Sequence, residues 1–426
     1  MSVIGNLITR TYSDFRGIDL LNAPNNVNLS RSPDCLNVWK SYDTTNSNII
    51  QTRPGIKKIL KITDSNDSNK INGMYMYESD KVLIHSGYKL IQWIGFPNEE
   101  TTIKTLASDM LNQKSTFLNF QNNIYILDGK TYRKFDGENL VSGRTDAYIP
   151  TTTIGRSPSG GGEIYEDVNL LTYRRKNSFI SDGKSLDYYL DTTNIDTIIG
   201  VYVNGKLVSN YTTDLVQGKI SFTSAPSEPS LLGQDNVIVD FSKVIEEYPA
   251  RIDKCSIATV FDNRIFFSGN PDYPNAIFHS SLYNPAYISD LDYYECGNST
   301  NKIKKLVVGN NILWVLKEEN QERDAIFYMT PSIDSEYGKI YPVSQGNLAV
   351  GCFSDGINYK DTIVFLSRNG LEGINGNINY EQSIVHKSSL IDSKLINMSN
   401  YNMCIMEEYN DYLLLAIDKN IFLADY

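Results

Sequence analysis

Three histidines, His85, His279 and His386, are the whole imidazole supply of the chain, and they lie far apart in sequence. No HExxH pair occurs and no acidic residue stands at ligand spacing beside two histidines, so metal-assisted hydrolysis has no local signature. The five cysteines, at positions 35, 255, 296, 352 and 404, are scattered, odd in number and without a CxxC pair. They read as reduced thiols rather than a disulfide scaffold or zinc site, which implies synthesis inside a cell. The GxxxxGK[ST] phosphate loop, the GxGxxG turn and the GxSxG nucleophile elbow are all missing from the sequence, and Gly160-Gly161-Gly162 reads as a flexible loop. No catalytic, cofactor-binding or metal-binding residue is therefore singled out, no cofactor is expected, and the chain is expected not to be an enzyme.

Carboxylates remain to be weighed, because 50 acidic residues could supply two that meet in space, as glycoside hydrolysis requires. The Ser-x-Asp-x-Gly-x-Thr-Trp turn of sialidase propellers is absent: Ser181-Asp182-Gly183 and Ser354-Asp355-Gly356 have the wrong spacing and no tryptophan. Aromatic side chains could stack on sugars, but Trp93, Phe266, Phe267, Trp314 and Tyr412 fall within strand patterns, where core packing is the commoner role.

The formal charge of −11 argues against tight binding to nucleic acid, since that affinity comes largely from Lys and Arg displacing counterions. An acidic surface suits solubility, and it would equally keep a passing duplex from sticking. The start of the chain, Met1-Ser2-Val3-Ile4-Gly5-Asn6, lacks the basic and apolar regions of a signal peptide, and no apolar run approaches a membrane span. The chain is expected to be soluble as made.

What positions these residues is a recurring strand–turn–strand unit rich in β-formers and Asn, Asp or Gly turns. It occurs about six times. The first copy runs from Met74 through Val82-Leu83-Ile84 to Trp93; the second runs from Phe117 through Ile124-Tyr125-Ile126-Leu127 to Phe135. A third spans Ile257 to Phe278, a fourth Leu306 to Tyr328, a fifth Thr362 to Ile374, and a sixth Cys404 to Leu423. Their spacing of roughly 40 to 50 residues, outside one long gap, is that of propeller blades. One such sheet buries too little alone, so several must pack face to face. The expected fold is all-β, a β-propeller of about six blades; unrelated hairpins in a sandwich or barrel are the alternative.

The gap has its own pattern. Ile198–Val203 runs into Asn204-Gly205, a dipeptide suited to a two-residue hairpin, and Lys219–Phe222 and Asn236–Phe241 add alternating strands. The expected organisation is an amino-terminal strap with propeller-closing strands at 1–60, propeller at 61–175, an inserted β-sandwich-like domain at 176–243, and propeller again at 244–426. The insert could be a contact arm or a spacer.

Tyr12-Ser13-Asp14-Phe15-Arg16-Gly17, then Arg31-Ser32-Pro33-Asp34-Cys35-Leu36-Asn37 and Arg53-Pro54-Gly55, resemble the opening of bacteriophage β-propeller virion proteins, which carry an F-R-G-like element, a P-x-x-x-x-N segment and an R-P-G turn. The resemblance continues in Tyr148-Ile149-Pro150, in Asn263 to Pro271 and in Leu366 to Leu371. In this chain Gly17 and Gly55 suit tight turns, and Pro54 presets φ before a strand expected from Ile56.

The resemblance implies a virion protein of the DNA-stabilisation, tail-hub or nozzle kind, made in the host cytoplasm. Its expected form is a homo-oligomeric ring, commonly a hexamer, that contacts connector or tail proteins and lets DNA pass. A receptor- or glycan-binding propeller at the tail tip, or a polysaccharide depolymerase, is the alternative.

Overall fold

The computed structural model describes residues 15–40, 50–60, 62, 70–97, 102–319, 324–335, 338–346, 350–374 and 384–424. Met1–Asn6 and the Tyr12-Ser13-Asp14 start of the F-R-G element lie outside them. The chain divides into two compact units. The larger comprises Ile62–Val308 and Thr330–Val343, and the smaller Met1–Lys61, Gly309–Met329 and Ser344–Tyr426.

Small antiparallel meanders dominate both units. In the larger, one sheet runs through Ile71–Glu78, Lys81–Ser86, Lys89–Ile94 and Thr102–Ala107, a second through Thr116–Phe120, Asn123–Leu127, Tyr132–Phe135 and Leu140–Ser142, and a third through Ile257–Phe261, Arg264–Ser268, Ala276–His279 and Tyr293–Glu295. The smaller unit holds the hairpin Ile312–Lys317 with Ile326–Met329. It also holds a four-stranded sheet of Gly356–Tyr359, Thr362–Leu366, Leu371–Ile374 and Ile384–His386, and a three-stranded one of Ile405–Tyr409, Tyr412–Ile417 and Asn420–Ala424. The chain is thus all-β, built of many small sheets at the positions of the sequence repeats.

The same two-residue turn recurs in five of the sheets. Gln121-Asn122, Asp262-Asn263, Asn310-Asn311, Lys360-Asp361 and Asn410-Asp411 all have φ between 47° and 63° at both residues. Both residues of each pair are left-handed, the geometry that matches strand twist in a tight hairpin. Asn and Asp tolerate it; glycine tolerates it better. Asp411→Gly is therefore expected to raise stability by about 0.5 kcal/mol, and Asp411→Val to lower it by about 1–2 kcal/mol, read as opposite shifts in thermal midpoint.

Within each unit, consecutive sheets pack face to face. Tyr75 stacks on Phe117 with ring centroids 6.1 Å apart and Tyr77 meets Phe135 edge-on at 5.6 Å, over a core that includes Leu83, Leu90, Ile124 and Ile126. Gly73 makes this approach possible, since a side chain there would stand 2.5 Å from Ser115 Oγ. The second and third sheets meet where Tyr132 abuts Phe267 edge-on at 5.3 Å, within a core containing Leu118, Leu127, Ile265 and Phe278. Tyr359, Val364 and Leu366 pack with Met406, Leu413 and Leu415 in the smaller unit, and the Tyr359 hydroxyl donates to the Asp411 carbonyl.

Between the second and third sheets lies the inserted module. Its larger sheet has the order Glu163–Ile164, Thr151–Arg156, Arg174–Phe179, Val237–Ser242, Thr197–Val203, Lys206–Val208, and its smaller one the order Asp187–Tyr189, Lys219–Phe222, Tyr211–Asp214. Phe179, Val201, Val239 and Phe241 of the first share a core with Tyr188, Ile220 and Phe222 of the second. The Asn204-Gly205 hairpin forms, with Val203 opposite Lys206. The sheet begins at Thr151, not at 176, because Thr151–Arg156 pairs in parallel with Arg174–Phe179; a parallel pair needs a long connection, which leaves no local turn to read.

Two loop expectations change. The Gly160-Gly161-Gly162 run is a defined hairpin connection, with φ of 116°, 77° and 89°. A side chain at Gly162 would come within 2.6 Å of both the Ile154 carbonyl oxygen and the Arg156 side chain, so glycine serves close approach there rather than flexibility. No strand starts at Ile56: residues 53–60 carry no regular structure and Ile56 is exposed, because the ladder of Val38–Lys40 with Ile50–Thr52 ends at Thr52.

Candidate functional site

The residues examined for chemistry separate cleanly by burial. Trp93, Phe266, Phe267, Trp314 and Tyr412 are all buried, as their strand positions predict. Cys255, Cys296, Cys352 and Cys404 are buried and Cys35 is partly buried, none of them in a disulfide; burial pushes the Cys35 and Cys255 thiols up, away from the reactive thiolate. Asp182 accepts from the backbone N–H groups of Lys184 and Ser185, and its hydrogen bonds from Ser185 bring its carboxyl down to about 2. Asp355 is buried and receives the N–H of Gly356 and of Met406. Asp182 holds its own loop, and Asp355 holds the start of the strand Gly356–Tyr359.

His85 and His279 are buried, and burial lowers both, His279 to about 4. They are neutral core residues. His386 differs. Its Nδ1 stands 2.9 Å from Glu372 Oε1 and its Nε2 2.6 Å from Asp392 Oδ2, while Ser388 Oγ donates to Asp392 at 2.5 Å. Glu372 comes from the neighbouring strand and Asp392 from the short helix Asp392–Leu395, and no local spacing in the sequence signals either. Each ring nitrogen faces a different carboxylate, so the three groups do not converge on one point. No group of three or more His, Cys, Asp or Glu among the described residues is arranged to hold a metal ion.

Partial burial disfavours the charged imidazole, but the hydrogen bonds to Asp392 and Glu372 outweigh that and raise its pKa above the ordinary histidine value. A raised folded-state pKa contributes stability that is complete below the unfolded value of about 6.5 and is lost as pH rises through the folded value. His386→Gln is therefore expected to cost more stability at pH near 5.5 than near 8.5. Equal costs at the two pH values, measured by denaturant unfolding, would rule out this linkage.

A carboxylate group also assembles beside the third sheet. Burial raises Asp292 to about 6, with Asp167 and Asp290 adding to the shift and Arg264 opposing it. Asp290 accepts from the Tyr248 hydroxyl at 2.7 Å and Asp167 from Ser289 Oγ at 2.9 Å. These two are engaged in holding loops together.

The motifs at the start of the chain converge on one another. Ile18 and Ser32 form a parallel bridge, the Arg16 N–H donates to the Ser30 carbonyl and the Arg31 guanidinium to the Arg16 carbonyl at 2.8 Å, and Gly17 sits at φ 90°. Arg53 reaches Asn37 twice, through its backbone N–H and through Nε to Oδ1 at 2.7 Å. This strap is tied to the rest of the smaller unit by the Leu20 N–H on the Leu390 carbonyl and by Lys394 on Asp34 at 3.2 Å. Between strap and sheet runs a groove of about 560 Å³, lined by Phe15, Arg31, Cys35, Lys387, Lys394 and Phe422 among others.

No protein-family model matches the chain, and no curated protein matches it. Among solved structures it is similar to the extracellular domain of a one-component system protein from B. thetaiotaomicron, at 13% identity over 85% of this chain with a TM-score of 0.33. It spans 39% of that protein's chain. It is similar also to a streptogramin B lyase, at 12% identity over 84% of this chain and 95% of the other with a TM-score of 0.34. Hsv2 of Kluyveromyces lactis matches at 10% identity over 82% and 90%, with a TM-score of 0.28.

The module presents the other notable surface. Its six-stranded sheet ends in two short strands, Glu163–Ile164 and Lys206–Val208. Ile164 is 86% exposed and Leu207 67%. Among the described residues no helix is long and apolar enough to cross a membrane.

Proposed function

We propose that this chain is a structural subunit of a bacteriophage virion, in the head-to-tail connector or the tail, and not an enzyme. In this reading the six small sheets close into a β-propeller, and copies of the chain assemble into a ring, commonly a hexamer, that docks on connector or tail proteins. The ring helps retain or guide the packaged DNA. The protein is made in the host cytoplasm and ends in the virion.

The observation that carries the reading is the strap. The F-R-G, R-S-P-D and R-P-G elements, on which the resemblance to phage propeller proteins rests, are far apart in sequence yet joined through Arg16, Arg31, Asn37 and Arg53. They behave as one device, which supports treating them as one motif. The net charge of −11 suits passage of DNA over tight binding, because like charge gives the duplex nothing to condense on.

Mass photometry of the purified protein, alone and with connector proteins, tests the reading. A ring of about six or twelve copies is the expected result. A persistent monomer that ignores connectors and binds or cleaves cell-surface glycan would instead make it a tail-tip adhesin or depolymerase. Particles assembled without the chain should leak DNA; normal, DNA-filled, infectious particles would sink the proposal.

A further inference from the structure

The two edges of the module's six-stranded sheet are chemically complementary. One carries Glu163 and Ile164, the other Lys206 and Leu207, and all four side chains are exposed. Neither Glu163 nor Lys206 has an ion-pair partner among the described residues, although charges elsewhere in the same module are paired, Arg174 with Asp240 and Lys219 with Asp187.

We infer that these opposite edges pair between neighbouring copies of this chain, Glu163–Ile164 of one against Lys206–Val208 of the next, and so set the register of the ring. The inference rests on the ring reading above and names the contact that reading leaves open. An edge strand is a template for another strand, and proteins blunt such edges with short length and charge. Here the charge discriminates. Like edges would set Lys206 against Lys206 or Glu163 against Glu163, which is repulsive. Unlike edges bring opposite charges and two apolar side chains together. That is a heterologous, head-to-tail contact, which builds a ring where its rotation closes and never a two-fold dimer. Strands of two and three residues bury far less than the roughly 1,200 Å² of a stable interface. The contact therefore supplies register and direction, and broader contacts of the subunit supply the remaining affinity.

Charge reversal with mixing is the test, performed on the full chain under the conditions in which the natural protein assembles. E163K alone and K206E alone should each weaken assembly about tenfold or more, since every junction then opposes like charges. An equimolar mixture of the two variants should recover rings of even copy number, because alternating copies restore an opposite-charge pair at every junction. A folding defect would not be rescued by mixing. The double variant I164K/L207K should not assemble in any mixture. If the single variants and I164K/L207K all form rings as the natural chain does, the edge contact is overturned and the ring reading stands. If the natural chain itself forms no ring, alone or on connectors, both fall.

Discussion

Asn169→Ala is expected to detach the inserted module and to cost on the order of 3 kcal/mol or more. Asn169 is fully buried and uses all of its polar capacity. Its Nδ2 donates to the carbonyls of Tyr148 and Ala286, both at 2.8 Å, and its Oδ1 accepts the N–H groups of Leu171 and Ile288, both at 3.1 Å. The side chain thus clamps the segment that leaves the second sheet, the segment that re-enters the module and the loop before the last strand of the third sheet. Alanine leaves the Tyr148 carbonyl and the N–H groups of Leu171 and Ile288 without this partner, while the Ala286 carbonyl keeps the Tyr148 N–H, and unmade buried hydrogen bonds cost more than made ones contribute. Asn169→Asp is sharper still: a carboxylate oxygen replaces the amide donor and faces two carbonyl oxygens. Hydrogen exchange read by mass spectrometry should show protection lost at 145–172 and 284–292, with the first sheet little changed. Unaltered exchange at those segments would show that the clamp is not needed.

Lys317→Met is expected to destabilise the smaller unit by about 3–5 kcal/mol. Lys317 is fully buried on the strand Ile312–Lys317, its ammonium 3.1 Å from Asp324 Oδ2 and 5.4 Å from the centre of the Phe327 ring. Taking both charges out of water is costly, and their mutual attraction together with the aromatic face offsets that cost only while both are present. Removing the lysine leaves the Asp324 carboxylate buried with less compensation. The double variant Lys317→Met with Asp324→Leu should recover much of the loss, because two apolar side chains replace the pair without an orphan charge. Denaturant unfolding of the two variants decides it. A double variant as unstable as the single one would mean that packing around Lys317, not charge, holds this site.

These two positions show where sequence reading stopped. Lys317 follows Trp314-Val315-Leu316 and looks like the polar end of a strand; nothing local says that the Asp324 carboxylate will stand 3.1 Å from its ammonium. Asn169 looks like one more polar loop residue. Both were invisible because their partners are separated in sequence by turns of unknown geometry, and a buried polar group is identified only by what surrounds it. The surroundings of His386 are hidden for the same reason. Its two carboxylates arrive from a neighbouring strand and a short helix. The membership of Thr151–Arg156 in the module's sheet is illegible in the sequence because that strand enters by a parallel pairing across a long connection, whereas the hairpin at Asn204-Gly205 is legible because its whole instruction lies in two residues.

By itself the sequence determined the elements. Alternating β-formers and Asn, Asp and Gly turns act within a few residues, through backbone sterics and left-handed propensity, and they specified the small meanders, the repeated turn and the burial of Trp93, Phe267 and Trp314. Which elements meet is set by long-range packing. Sheet-on-sheet packing, the strap joining Arg16, Arg31, Asn37 and Arg53, and the complementary edges at Glu163 and Lys206 depend on contacts between residues well beyond the reach of a local turn. Their free energies arise from exclusion of water and pairing of charge in three dimensions, and no local pattern encodes those terms.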